Sequence, residues 1–186
     1  MMLTFCTGNK HKFSEVQREL GISLTQYANG YPELQADTLK EVVIAGMDHL
    51  DPIIETPYFL DDSGLEIEAL DGFPGVYSAY VHKTIGNDGI LRLLKKRIDR
   101  NALFKCVIGY RDEKGKRHLF TGTSPGVIGS SLMGERGFGF DPIFIPEGNI
   151  KTFAQMEQAE KNSLSHRGDA VRKFKSHLES NAERFG

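Results

Sequence analysis

From Ala102 onward the chain reads "ALFKCVIGYRD", "EKGK" and "RHLFTGTSPGVI", two long β-rich runs separated by a short charged turn that contains a glycine. That arrangement predicts a β-hairpin, and hairpin strands are antiparallel. Whatever precedes it must join a sheet whose middle is antiparallel. The opening is of another kind. "LTFCT", Leu3 to Thr7, is a β-rich run, and Phe13, Val16 and Leu20 follow at helical spacing up to Gly21, which predicts strand, short loop, helix. Leu39, Val42, Val43, Met47 and Leu50 mark a second helix, and "PYFLDD" reads as a short strand that brings Asp61 and Asp62 to its carboxyl end. Ile90, Leu91, Leu93, Leu94 and Ile98 predict a third helix, introduced by "NDG". "GERGFGFDPIFIPEGN", Gly134 to Asn149, is dense in glycine, proline and aromatics and reads as a shaped loop. Val171, Phe174 and Leu178 place a last helix over 169–178. The sum is an α/β fold with a mixed, partly antiparallel central sheet flanked by helices. No repeat or linker divides residues 1–186, so one domain is expected.

Hydrophobic residues make up 39% and charged residues 26%, the balance of a soluble globular protein. The apolar runs are too short to span a bilayer. "MMLTFCTGNK" has neither a basic leader nor a small-residue cleavage site, so the expected location is the cytoplasm. Cys6 and Cys106 lie inside apolar stretches and read as small buried hydrophobes, not as a disulfide or a metal site. A net charge of −2 offers no bulk attraction to nucleic acid or to an anionic membrane, and neither is expected as a partner. Phosphate binding would have to be local.

Four stretches carry chemistry. In "TGNKHK", the residues Thr7, Gly8, Asn9, Lys10, His11 and Lys12 lie where a strand ends and a helix begins, so backbone N–H groups and the helix dipole favour an anion. A capped helix with solvated lysines is the plain alternative. In "LDDSG", two adjacent carboxylates repel unless a cation relieves them, and Mg²⁺ shared with a phosphate chain does so. Glu33 and Glu41 are further candidates, although each singly also suits an exposed surface. "GFGFDP" offers Phe138 and Phe140 beside Gly139 and Asp141; two rings in so tight a turn do not easily both face inward, leaving one for a heterocyclic base unless both are core. "EKNSLSHRG" gathers Lys161, His166 and Arg167, hydrogen-bond donors suited to an oxygen-bearing purine edge. Basic charge at a helix start is the unfavourable end of the dipole, which argues against a merely solvated run.

Taken in order, "TFCTGNKHKFSEV", "DDSGLEIEALDGFPGVYSAYV", "GFGFDPIFIPEG" and "TFAQMEQAEKNSLSHRG" resemble the signature stretches of the inosine triphosphate pyrophosphatase family, from Leu3 to about Phe174. The resemblance implies two lobes with a nucleotide cleft between them and Mg²⁺-dependent hydrolysis of ITP, dITP and XTP to the monophosphate and pyrophosphate by a homodimer. It implies a triphosphate loop at Thr7 to Lys12, metal ligands at Glu33 and Asp62, Asp62 as proton acceptor and Ser63 as its neighbouring substrate contact. Base contacts would fall on Phe138 to Asp141 and on Lys161, His166 and Arg167. Two positions depart from the pattern: Ala45 and Gly46 stand where many members have a phosphate-contacting lysine, and Tyr80 where Lys or Arg is common. A phosphatase using an aspartyl-phosphate and a non-catalytic nucleotide-binding module stand as rivals at this stage.

Overall fold

The computed structural model describes residues 3–32 and 34–182. Strand β1 (Leu3–Cys6) leads to helix α1 (Lys10–Leu20), β2 (Leu24–Tyr27), α2 (Leu39–Leu50), β3 (Tyr58–Ile67) and β4 (Pro74–Gly75). Helices α3 (Ser78–Thr84) and α4 (Gly86–Leu93) precede the hairpin β5 (Asn101–Arg111) and β6 (Arg117–Ile128), then come β7 (Phe144–Pro146), α5 (Gln158–Leu164) and α6 (His166–Ala182). Among the described residues the seven strands form one mixed sheet in the order β2-β1-β3-β5-β6-β7, with β4 beside β3. The β1 pairings are parallel, whereas β3-β5-β6-β7 run antiparallel.

The expected hairpin is present and pairs Asn101 with Val127 through Arg111 with Arg117. Helix α1 starts where Asn9 caps it, its side chain accepting from the His11 and Lys12 amides, and stops at Gly21 in the left-handed conformation. Three expectations need correction. β3 does not end at the acid pair; it continues through Ser63 and Gly64 to Ile67, so Asp61 and Asp62 sit mid-strand. The helix at Ile90 ends at Leu93, and Ile98 is fully exposed beyond it. The segment 134–149 is not wholly irregular, because Phe144–Pro146 adds a strand to β6.

One apolar cluster packs α1 and α6 on one face of the sheet through Phe5, Phe59, Ile108, Val171 and Phe174. A second packs α2 on the other face through Tyr58, Leu60, Val43 and Met47. A third, with Leu65, Phe104, Phe140, Phe144 and Phe153, fills the far end of the long strands. Burial of this kind contributes about 25 cal/mol per Å² of apolar surface. Helix α6 approaches β6 so closely that a Cβ at Gly122 would run into the His166 carbonyl and the Ala170 amide. This close packing sets where the first turn of α6 lies.

Candidate functional site

Strand alternation settles the repulsion that "LDDSG" raises. Successive side chains point to opposite faces. Asp61 therefore shares its side with Phe59 and the α1/α6 layer, and Asp62 shares the α2 side with Leu60. The Asp61 side chain is 1% exposed. Its Oδ1 lies 3.3 Å from Lys12 Nζ, and its Oδ2 accepts from Arg167 Nε at 3.1 Å. Burial pushes this carboxyl up, but Lys12 and Arg167 outweigh it and hold it below the usual aspartate range. Asp62 is half-buried and lines the cleft described next.

A cleft of about 560 Å³ opens between the β1–α1 loop and the Phe138–Asp141 turn. Thr7, Gly8, Asn9 and Lys12 line one part of it, Asp62 and Ser63 its strand wall, and Phe138, Gly139, Phe140, Asp141, Lys161, His166 and Arg167 the rest. Lys10 is exposed and does not line it. His11 does not line it either, but its ring stacks on Phe138, with centroids 5.7 Å apart. Glu33 lies outside the described residues. Glu41 does not line the cleft; its carboxylate closes the capping box of α2, accepting from the Asp37 and Thr38 amides. At Gly46 a Cβ would meet Leu60 and the Tyr31 ring, so a lysine has no room there, and Tyr80 is exposed.

The two phenylalanines of "GFGFDP" divide as the tight turn suggests: Phe140 is core, and Phe138 is half-buried with its ring in the cleft. Gly137 permits the turn with φ of +75°, where a Cβ would also strike the Asp141 carboxylate. Asp141 accepts from the Phe138 amide and from Lys161 Nζ, both at 2.8 Å. Burial pushes the Asp141 carboxyl up, against the pull of Lys161.

Lys161, His166 and Arg167 are no solvated helix start; all three are buried. Glu15 of α1 makes this possible. Its Oε1 accepts from Lys161 Nζ and its Oε2 from Arg167 Nη1, each at 3.0 Å. Burial works against the Arg167 charge, but Asp61 and Glu15 outweigh it and raise the guanidinium further. Arg167 also donates to Ser63 Oγ at 3.1 Å. His166 stacks flat on Phe104, centroids 4.5 Å apart, and burial together with Arg167, Lys161 and Lys12 keeps its pKa far below 6.5. Its buried Nδ1 has no hydrogen-bond partner within the protein.

Sequence reasoning missed Glu15, Tyr31, His82 and Phe104; the last three line the cleft. For Glu15 the sequence carried no signal: helical spacing turns it about 100° away from Val16 and further from Phe13 and Leu20, off the apolar stripe. Among the described residues no cluster of three or more His, Cys, Asp or Glu is placed to hold a metal, and no helix is long and apolar enough to cross a membrane. Both cysteines are buried thiols, pushed up to about 12 by burial.

Comparison with known proteins gives one consistent answer. The Ham1 family model matches residues 3–177. The dITP/XTP pyrophosphatase of Thermococcus kodakarensis is 52% identical, over 97% of this chain and 99% of its own. That of Pyrococcus horikoshii is 48% identical, over 97% and 98%. The solved Ham1 protein of Staphylococcus aureus superposes with a TM-score of 0.86 at 28% identity, over 97% of this chain and all of that one.

Proposed function

The chain belongs to the Ham1 family, and on that premise we propose that it is a dITP/XTP pyrophosphatase. It hydrolyses non-standard purine nucleoside triphosphates, ITP among them, to the monophosphate and pyrophosphate. The observation that carries this is the division of one cleft into two chemistries. A capped helix start with Lys12 suits phosphates, and a half-buried ring beside buried donors suits a purine.

Mg²⁺ fits the strand wall. The ion takes one or two carboxylates together with phosphate oxygens and keeps several waters. Asp62 brings a half-buried carboxylate to the cleft, and Glu33 is the second ligand expected from the family pattern. Asp61 suits that role less well: it is buried, its Oδ2 accepts from Arg167, and its Oδ1, which accepts no hydrogen bond, is ion-paired with Lys12. When bound, the ion neutralises phosphate charge and makes a water more acidic. The chain's own groups do the rest. The amides of the Thr7–Lys12 loop and the Lys12 ammonium hold the phosphates. Asp62 takes the proton from the water that attacks the α-phosphorus, and pyrophosphate departs. Phe138 stacks on the base, while Lys161, His166 and Arg167 address its edge. Donors aimed at a 6-oxygen are left unpaired by an amino group, and an unpaired buried group discriminates strongly.

We place this work in the cytoplasm, where the two unpaired buried cysteines suit a reducing compartment. A homodimer is supported by the exposed aromatics Phe73, Tyr77 and Tyr80 within one short stretch. The deciding experiment incubates the chain and Mg²⁺ with dITP, XTP, GTP and ATP and identifies the products. Pyrophosphate from dITP and XTP is expected, with none in chelator. Orthophosphate as the product would favour an aspartyl-phosphate route instead. Asp62→Asn should retain nucleotide binding and lose turnover by about 10²- to 10⁴-fold.

A further inference from the structure

Asp61 faces two cations that belong to opposite ends of the cleft. Lys12, from the phosphate loop, donates to its backbone carbonyl at 3.4 Å and pairs with Oδ1 at 3.3 Å. Arg167, from the base end, donates to Oδ2 at 3.1 Å. Beyond Arg167 the charges continue to alternate through Glu15 and Lys161 to Asp141, at contacts of 3.0, 3.0 and 2.8 Å. The result is a row of six buried or half-buried groups of alternating sign, each hydrogen-bonded or ion-paired to the next. Asp61 is the link at which the phosphate end meets the base end.

We propose that Asp61 is a positioning residue that couples the two ends of the cleft, so that filling the phosphate end strengthens the hold on the base. The proposal rests on the functional reading above for which end takes which part of the nucleotide. A carboxylate shared between two cations holds each less firmly than it would hold one alone. A phosphate group arriving at Lys12 offers that ammonium a stronger anion and draws it from Oδ1. Asp61 is then left to Arg167, whose plane Ser63 and Glu15 already fix. Arg167 becomes better ordered at the moment the base needs it, and linkage makes the effect reciprocal. Discrimination among bases thereby depends on the triphosphate being seated, although no residue touches both parts.

Calorimetric titration of the full chain in Mg²⁺ tests this, with inosine as the probe of the base end and pyrophosphate as the probe of the phosphate end. Saturating pyrophosphate is expected to raise inosine affinity by about 5- to 20-fold. In Asp61→Asn the dependence should vanish. Pyrophosphate alone should bind that variant several-fold tighter, because Lys12 has lost its internal anion. A merely structural role for Asp61 predicts the reverse, both probes weakening together. A change of twofold or less in the unmutated chain overturns the coupling, and so does weaker pyrophosphate binding by a folded Asp61→Asn. If that variant does not fold, the titration of the unmutated chain decides alone. Failure of the chain to release pyrophosphate from dITP or XTP would instead remove the functional reading and the coupling with it. Turnover without coupling overturns only the latter.

Discussion

Replacing Glu15 with glutamine tests the electrostatics that hold the cleft together. The change keeps the shape of the side chain and removes one negative charge shared by Lys161 and Arg167, whose own side chains are 5% and 6% exposed. The single amide oxygen of glutamine replaces only one of the two carboxylate oxygens that serve Lys161 and Arg167, and its NH₂ then faces the other cation. Breaking a buried pair costs about 3–5 kcal/mol. Lys161 keeps Asp141 and Arg167 keeps Asp61, so the lower end, about 3 kcal/mol, is expected. With a urea m-value of about 2 kcal/mol/M the midpoint should fall by about 1.5 M at unchanged slope. Glu15 titrates low because Arg167 and Lys161 outweigh the burial that pushes it up. Its contribution is complete above the ordinary glutamate value of 4.5 and is lost as the pH falls through the lower folded-state value. The gap between the two proteins should therefore narrow in acid. Adding Lys161→Met to Glu15→Gln should restore at least about 1 kcal/mol relative to additivity. A loss below about 1 kcal/mol at neutral pH, or no narrowing in acid, would refute the premise that Lys161 and Arg167 depend on Glu15 for their buried counter-charge.

Three further outcomes follow from the same geometry. Phe138→Ala removes a stacking face worth about 1–3 kcal/mol, so steady-state kinetics on dITP should show KM up by about tenfold or more with kcat little changed. His166 is held neutral by burial, with Arg167, Lys161 and Lys12 adding to the effect. Below about pH 6.5 the unfolded chain takes up a proton that the folded one refuses, so stability falls with pH. Between about pH 7.5 and 5 this amounts to about 2 kcal/mol, and His166→Gln should flatten that part of the urea-derived stability profile. Gly122→Val would push the first turn of α6 off β6; kcat/KM for XTP should drop by about a hundredfold, while far-UV circular dichroism is retained.

Much of the fold was legible because local pattern and tertiary role agree. The β5–β6 hairpin is two long β-rich runs about a short charged turn, and α1 carries its own start and stop in Asn9 and Gly21. The failures have local causes. Leu24–Tyr27 makes an edge strand of four residues, none of them buried, too short for alternation to register. Ser63 and Gly64 look like a strand's end, yet β3 passes through them because Gly64 lies against the Gly75 carbonyl, where a side chain would not fit. Ile98 continues a helical spacing that the backbone has already abandoned at Leu93. In the site, motif chemistry pointed to Lys161, His166 and Arg167 but not to how they bear burial. That depends on Glu15, separated from Arg167 by 152 positions, and no local window contains both.

That separation bears on how the molecule is made. Glu15 leaves the ribosome 146 positions ahead of Lys161 and 152 ahead of Arg167, the cations that match it, which arrive with α5 and α6. Contacts so distant in sequence form late. A nascent chain halted before Lys161 can build much of the sheet, but Glu15 and Asp141 then lack their cations, Asp61 has Lys12 alone, and the base end lacks Lys161, His166 and Arg167. Assembly of the cleft is thus withheld until α5 and α6 have been made, and a product ended before them has no partial activity to contribute.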